Sequence, residues 1–242
     1  MLMAGVVRLP GSGARALKPG QLVAQDVDLV ALPGPRWASR GGEKLAAALD
    51  AFGIEPGGLA CLDAGASTGG FTDVLLQRGV RVVYAVDVGR GQLIERLRAD
   101  ARVVVMDRTN LRTLERLPEP IDLATLDLSF ISLALVLPAV RRLLSERGRV
   151  VALVKPQFEA GRDAVPRGGV VRDPAVHHAV LQEFGDAARR AGFTPTRAIR
   201  SPLAGSAGNV EFLALLESRV PIPARSPTSW DHEVDALFEA PV

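Results

Sequence analysis

From Arg40 onward, short apolar runs alternate with stretches of helical character, and five of the runs end on a charged residue. They are "LACLDA" (59–64), "VRVVYAVDVG" ending near Asp87, "RVVVMD" (102–107), "IDLATLDLSF" ending at Asp127, and "GRVVALVKPQF" ending at Lys155. Apolar strands separated by helices belong to an open, mostly parallel sheet covered on both faces, an α/β doubly wound fold. Two later runs, "TPTRAIRSP" and "NVEFLALLES", bring the expected sheet to seven strands. Helices are expected over 43–52, 68–77, "GQLIERLRAD", about Leu133 to Arg147, and Pro174 to Ala191 with Asp173 as cap. Ligands of such sheets bind beyond the carboxyl ends of the strands. Asp63, Asp87, Asp107, Asp127 and Lys155 therefore fall where chemistry is expected.

The first 36 residues have another texture. They are rich in Gly, Pro, Val and Leu, with β-like pieces "GVVRL" and "QLVAQDVDLVAL" and a linker-like cluster "LPGPR". The expected organisation is a β-rich module and linker over 1–36, the α/β domain over 37–219, and a loosely packed, proline-rich tail over 220–242 with a short helix at "EVDALFEA". With 48% hydrophobic and 23% charged residues, the chain has ample material for a core. Its single cysteine, Cys61, excludes an internal disulfide framework and lies in an apolar run as a core residue. The longest apolar stretch, "ISLALVLPAV", is about half a membrane span and contains Pro138, and the first residues lack a basic leader. A cytoplasmic protein without a membrane partner is the expectation.

The loop after the first strand, "LDAGASTGGFT" (62–72), admits two readings. Gly65 to Gly69 fits G-x-S-x-G, the elbow that presents a nucleophilic serine. That elbow needs several strands before it and an Asp and a His after it. Here it follows the first strand of the domain, while His177 and His178 fall in a helix and His232 in the tail. The alternative is a cradle formed by Asp63, Gly65, Ala66, Ser67, Thr68, Gly69 and Gly70, where glycines admit a ligand close to the backbone at a helix start. A dinucleotide fingerprint would have a middle glycine for the pyrophosphate, where this loop has Ser67. Asp87, about twenty residues on, suits ribose hydroxyls. A ribose without a pyrophosphate, plus a carboxylate for the helix start, describes S-adenosylmethionine. Asp107 is the candidate for its adenine edge.

The positive charge is unevenly composed. Only Lys18, Lys44 and Lys155 of 29 basic residues are lysine. In a chain that uses arginine almost everywhere, a retained lysine is either a chance survivor or a place where a compact, titratable ammonium is wanted. A pI of about 9.1 mildly favours a polyanionic partner.

Seven segments resemble the TlyA family of FtsJ-like ribosomal RNA 2'-O-methyltransferases, also labelled hemolysin A. They are "SRGGEKL" (39–45), "LDAGASTGGFTDVLLQRG" (62–79), "DVGRGQL" (87–93), "LDLSFISL" (126–133), "LVKPQFEAGRD" (153–163), "GGVVRD" (168–173) and "GNVEF" (208–212). The resemblance implies a Rossmann-like class I methyltransferase sheet with a reversed last strand. It also implies S-adenosylmethionine as cofactor, ribosomal RNA as partner, cytidine as target, and a catalytic set falling on Lys44, Asp127, Lys155 and Glu211. No metal is expected. Arg36, Arg40, Arg162 and Arg167 are the candidate phosphate contacts. The family's N-terminal RNA-binding module is matched only at its β-rich end, so the expectation is either a shortened module or a start codon assigned too late. The rival from another class is a non-catalytic RNA-binding or ribosome-assembly factor that keeps the fold.

Overall fold

The computed structural model describes residues 7–9, 21–31, 34–161, 164–218 and 229–239. The chain divides into two compact units, residues 1–36 and 37–242. In the first, strand β1 (Val7–Arg8) pairs antiparallel with β2 (Val30–Ala31). Residues 21–29, expected to be β-like, form no strand.

The second unit is built on a seven-stranded sheet. Its strands are β3 (Ala60–Ala64), β4 (Val82–Val86), β5 (Val103–Met106), β6 (Ile121–Leu126), β7 (Leu144–Val154), β8 (Thr194–Arg200) and β9 (Phe212–Glu217). They lie in the order β5-β4-β3-β6-β7-β9-β8, and β9 runs antiparallel to both its neighbours. The mostly parallel sheet and its reversed last strand match the expectation. Strand order reverses between β3 and β6, where the crevice of a doubly wound sheet opens.

Alternation along the strands divides the core between the two faces. Cys61, Val83, Leu123, Val151 and Leu153 face α1 (Gly41–Phe52), α2 (Gly70–Gln77) and Leu97 of the short α3 (Glu95–Arg98). Leu62, Val86, Ala124, Val150 and Ala152 face α4 (Leu137–Leu143), α6 (Pro174–Arg190) and α7 (Trp230–Glu239). A one-turn helix, α5 (Pro156–Glu159), follows β7. Each fully buried leucine contributes about 1.5–3 kcal/mol. Burial pushes the Cys61 thiol up to about 12, with Asp122 and Asp63 adding to the effect, so it is an inert core group.

Several expectations need correcting. The helix assigned to Leu133–Arg147 is a 3₁₀ turn (Leu133–Leu135) followed by α4, and Leu144 already begins β7. The cause is a register shift: Ile121 pairs with Leu144 and Leu123 with Arg149, so the intervening residues bulge. Gly148 permits this, because a Cβ there would stand 2.9 Å from the Ile121 carbonyl oxygen. The "GQLIERLRAD" helix shrinks to the single turn α3. Helix α2 begins at Gly70, two residues later than expected, because Gly69 takes the left-handed conformation (φ +98°). The tail is not loosely packed over α7: Trp230 is 2% exposed, and its indole N–H donates to the Leu181 carbonyl. Gly185 makes room for that ring, since a Cβ would lie 2.3 Å from the indole nitrogen. Residues 219–228 lie outside the described residues.

Candidate active site

The loop after β3 is shaped by close approach to its neighbours. Gly65 has φ +82°, and a Cβ there would sit 2.4 Å from the Asp127 carbonyl oxygen, so only glycine fits where β3 and β6 end side by side. The Gly65 and Ala66 amides both donate to the Val86 carbonyl, at 2.9 and 3.2 Å. Ser67, at φ +46°, turns its backbone N–H to Asp87 Oδ2 at 2.9 Å. Asp87 Oδ1 accepts from the Gly89 N–H at 2.7 Å. Asp87 thus fastens this loop to its own, with lone pairs to spare for a ligand. Gly69 and Gly70 serve packing: a Cβ on the first would meet Leu97 Cδ1 at 2.3 Å, and on the second Ser39 Oγ at 2.2 Å.

Two ion pairs stand beyond the sheet. Lys44 lies on the buried face of α1 beside Leu45, where an ammonium requires a partner, and it pairs with Glu211 Oε2. Glu211 immediately precedes β9, and its carbonyl accepts from the Ser201 N–H. Lys155, at the end of β7, pairs with Asp127 Oδ1 at 2.6 Å and donates to Ser129 Oγ at 3.0 Å. All four charged residues line one cleft of about 360 Å³, together with Arg40, Gly65, Ala66, Ser67, Thr68 and Gly70. A second compartment of about 470 Å³ shares Gly65, Ser67, Asp127 and Ser129 with the first. Asp87 stands in its wall, and Val86, Val88, Leu111, Leu128, Ile131 and Val136 give it apolar sides.

An FtsJ-like methyltransferase family model matches residues 37–218. The chain belongs to that family. It is 46% identical over 90% of its length, and 82% of the relative's, to the 16S/23S rRNA (cytidine-2'-O)-methyltransferase TlyA of Mycobacterium tuberculosis. It is 36% identical to Hemolysin A of Brachyspira hyodysenteriae, over 88% of this chain and 90% of that one. A solved structure from Streptococcus thermophilus that carries the name hemolysin superposes with a TM-score of 0.79 at 42% identity, covering 98% of this chain and 87% of the other.

Not every expected residue of the FtsJ-like domain reaches the clefts. Asp63 is fully buried, accepting from Thr72 Oγ1 at 2.6 Å and Thr125 Oγ1 at 3.1 Å, and it lines neither compartment. Burial pushes its carboxyl up to about 6 against those two hydrogen bonds, with Asp127 adding to the rise. Asp63 ties α2 and β6 together beneath the loop. Asp107 also lies outside both linings; its Oδ2 accepts from the Gly91 N–H at 3.1 Å and from Arg98 at 3.0 Å, which lowers its carboxyl below the ordinary range. Thr109, Asn110 and Leu111 line the second compartment in its place. Gly69 faces Leu93 and Leu97. Arg36 belongs to the first unit, Arg167 is exposed and lines neither cleft, and Arg162 lies outside the described residues.

Ser129, Ser39 and Ser206 line the charged cleft without having been singled out from the sequence. Ser129 stands two residues after Asp127 inside a quoted motif, which is the only signal it offers. Asp73 was also missed. Burial alone would raise this carboxyl, but Arg96, Gln77 and the Ala38 N–H more than offset it and hold it low. It anchors the segment that leads into Lys44's helix.

Proposed function

We propose that this protein transfers a methyl group from S-adenosylmethionine to a ribose 2'-hydroxyl of ribosomal RNA, with cytidine as the target nucleoside. The observation that carries this reading is the pair of lysine–carboxylate contacts, Lys44–Glu211 and Lys155–Asp127, facing one cleft beside a compartment walled by Asp87. The activities named for the M. tuberculosis relative support it.

The residues present fit the cofactor. A compartment of about 470 Å³ is in the usual range for a small-molecule site. Its donor set is right for an adenosine: a carboxylate for the ribose, apolar walls for the base, and a loop without side chains at Gly65. The first cleft carries cations and hydroxyls suited to a carboxylate and an acceptor ribose. When bound, S-adenosylmethionine supplies an electrophilic methyl group that needs no further activation.

What remains for the protein is alignment and proton removal. Lys155 takes the hydroxyl proton or stabilises the developing alkoxide. Asp127 orients Lys155 and offsets its charge. Lys44 and Glu211 hold the ribose. Arg40 at the cleft edge, with Arg36, Arg162 and Arg167, contacts phosphate, so RNA affinity falls steeply as salt rises.

The test is Lys155→Ala. Calorimetric titration should find S-adenosylmethionine affinity nearly unchanged, while transfer of labelled methyl to ribosomal subunits disappears. Wild-type turnover by the variant would remove Lys155 from the mechanism. Binding of RNA without any transfer by the native protein would favour an assembly factor.

A further inference from the structure

The Lys155 side-chain nitrogen stands between two oxygens, Asp127 Oδ1 at 2.6 Å and Ser129 Oγ at 3.0 Å. We infer that Ser129 is a positioning residue that, together with Asp127, directs the free position of Lys155 Nζ at the acceptor hydroxyl. The inference rests on the methyl-transfer reading above and adds a residue to it.

Nζ has four tetrahedral positions, and its bond to Cε occupies one. Asp127 accepts along a second. In the neutral amine, the other proton and the lone pair then share two places, and Asp127 alone cannot say which takes which. If the proton faces the substrate, the amine is not a base. Ser129 Oγ, as an acceptor for the second N–H, removes that arrangement and leaves the lone pair in the remaining place. Lys155, Asp127 and Ser129 all line the charged cleft, and the Lys155 side chain is only 9% exposed, so little solvent competes for that place.

Ser129 is pinned on both sides. The Asp127 N–H donates to the Ala64 carbonyl at 2.9 Å, and Phe130 adopts φ +62°, a conformation a bulky side chain rarely takes. Ser129 thus lies between a residue anchored to β3 and one held in a backbone conformation that its side chain disfavours.

In the step itself, the 2'-hydroxyl proton passes to the Lys155 lone pair as the oxygen forms its bond to the methyl carbon. S-adenosylmethionine, when bound, would supply that methyl group and leave as a neutral thioether, keeping the carbon–sulfur bonding electrons. Lys155 finishes as an ammonium held by the same two oxygens and passes its extra proton to solvent before the next turnover.

The arginine-rich composition makes this testable, because a chain with three lysines has only three side-chain Nζ resonances. In protein labelled with lysine-Nζ-15N and free of cofactor, Ser129→Ala should move the Lys155 resonance, assigned through Lys155→Arg, and leave that of Lys44 in place. In steady-state assays on ribosomal subunits, kcat should fall on the order of tenfold to a hundredfold with KM for RNA unchanged. Ser129→Thr, which keeps the hydroxyl, should recover most of the loss. An unmoved Lys155 resonance overturns the inference. So does a kcat within about twofold of wild type, or a loss carried wholly by weaker cofactor binding. Failure of the wild-type protein to methylate RNA would defeat the parent reading instead, and that control tells the two failures apart.

Discussion

Asp63 is a carboxyl group in a place where water cannot reach it, which makes its protonation state a matter of stability. Its ordinary value is 3.8 and burial lifts it to about 6. The difference corresponds to about 3 kcal/mol in favour of the neutral form. Because the folded-state value is the higher one, the stabilising contribution is fully present below about pH 4 and is lost as pH rises through about 6. At pH 8 the native state therefore carries an ionised Asp63 at a cost of about 3 kcal/mol. Asp63→Asn removes that cost without disturbing the contacts. The Asn carbonyl can accept from Thr72 as Oδ2 does now. Its amide can donate to Thr125 Oγ1, whose own hydroxyl proton then turns to the Leu62 carbonyl, already 3.3 Å away. Denaturant unfolding of both proteins between pH 4 and 8 is the measurement. The variant should be more stable by up to about 3 kcal/mol at pH 8, with the gap closing toward pH 4. A gap that does not change with pH, or a variant less stable at pH 8, would refute the assignment of the cost to a buried ionised carboxylate.

Three other outcomes follow from the site's contacts. Lys44→Met leaves the Glu211 carboxylate buried without its partner and should destabilise the protein by about 3–5 kcal/mol in chemical denaturation. Adding Glu211→Leu should recover most of that stability while methyl transfer stays lost, separating the pair's structural cost from its use. Asp87→Ala removes the acceptor that holds Ser67 and Gly89 and should weaken S-adenosylmethionine binding at least about tenfold by calorimetry, whereas Asp107→Ala, whose oxygen serves Gly91 and Arg98, should leave affinity within about twofold.

The sheet was legible because its central strands are apolar on both faces, and each parallel strand's polar terminus marks the same edge. The charged set was legible as a set only through the family resemblance, while composition marked just its two lysines, two of three in an arginine-rich chain; all four residues stand in the cleft. What the sequence hides is the depth of a side chain. Asp63 and Asp87 look alike as acids at strand ends, yet Asp63 lies within β3 under two threonines and Asp87 follows β4 facing a compartment. Asp107 follows β5 in the same way, but Arg98, nine residues upstream on a one-turn helix, takes its carboxylate. Ser129 escaped notice because its partner Lys155 is 26 residues away and reached only through the parallel pairing of β6 and β7. The bulge at the start of β7 escaped because serine, glutamate and arginine continue a helical pattern until Gly148 forces the chain against Ile121.

The loop after β3 shows how the elbow and the cradle differ physically. Ser67 is strained, as an elbow serine would be, but the group its conformation delivers is the backbone N–H to Asp87. Nor is the strain confined to this loop. Among the described residues, the non-glycine positions with positive φ are Ser67, Arg108 and Phe130, just after β3, β5 and β6. Each costs up to about 1–3 kcal/mol and persists only where the surroundings over-determine it. Here those surroundings are the close-packed strand ends: the Gly65 and Ala66 amides on the Val86 carbonyl, the Arg108 amide on the Gly89 carbonyl at 2.9 Å, and the Asp127 amide on the Ala64 carbonyl. A sheet whose interior is apolar and regular can hold such turns at its carboxyl edge, and the clefts lie along that edge. The rigid part of the fold thus supplies the stability that lets the reactive edge keep a geometry its own residues would not choose.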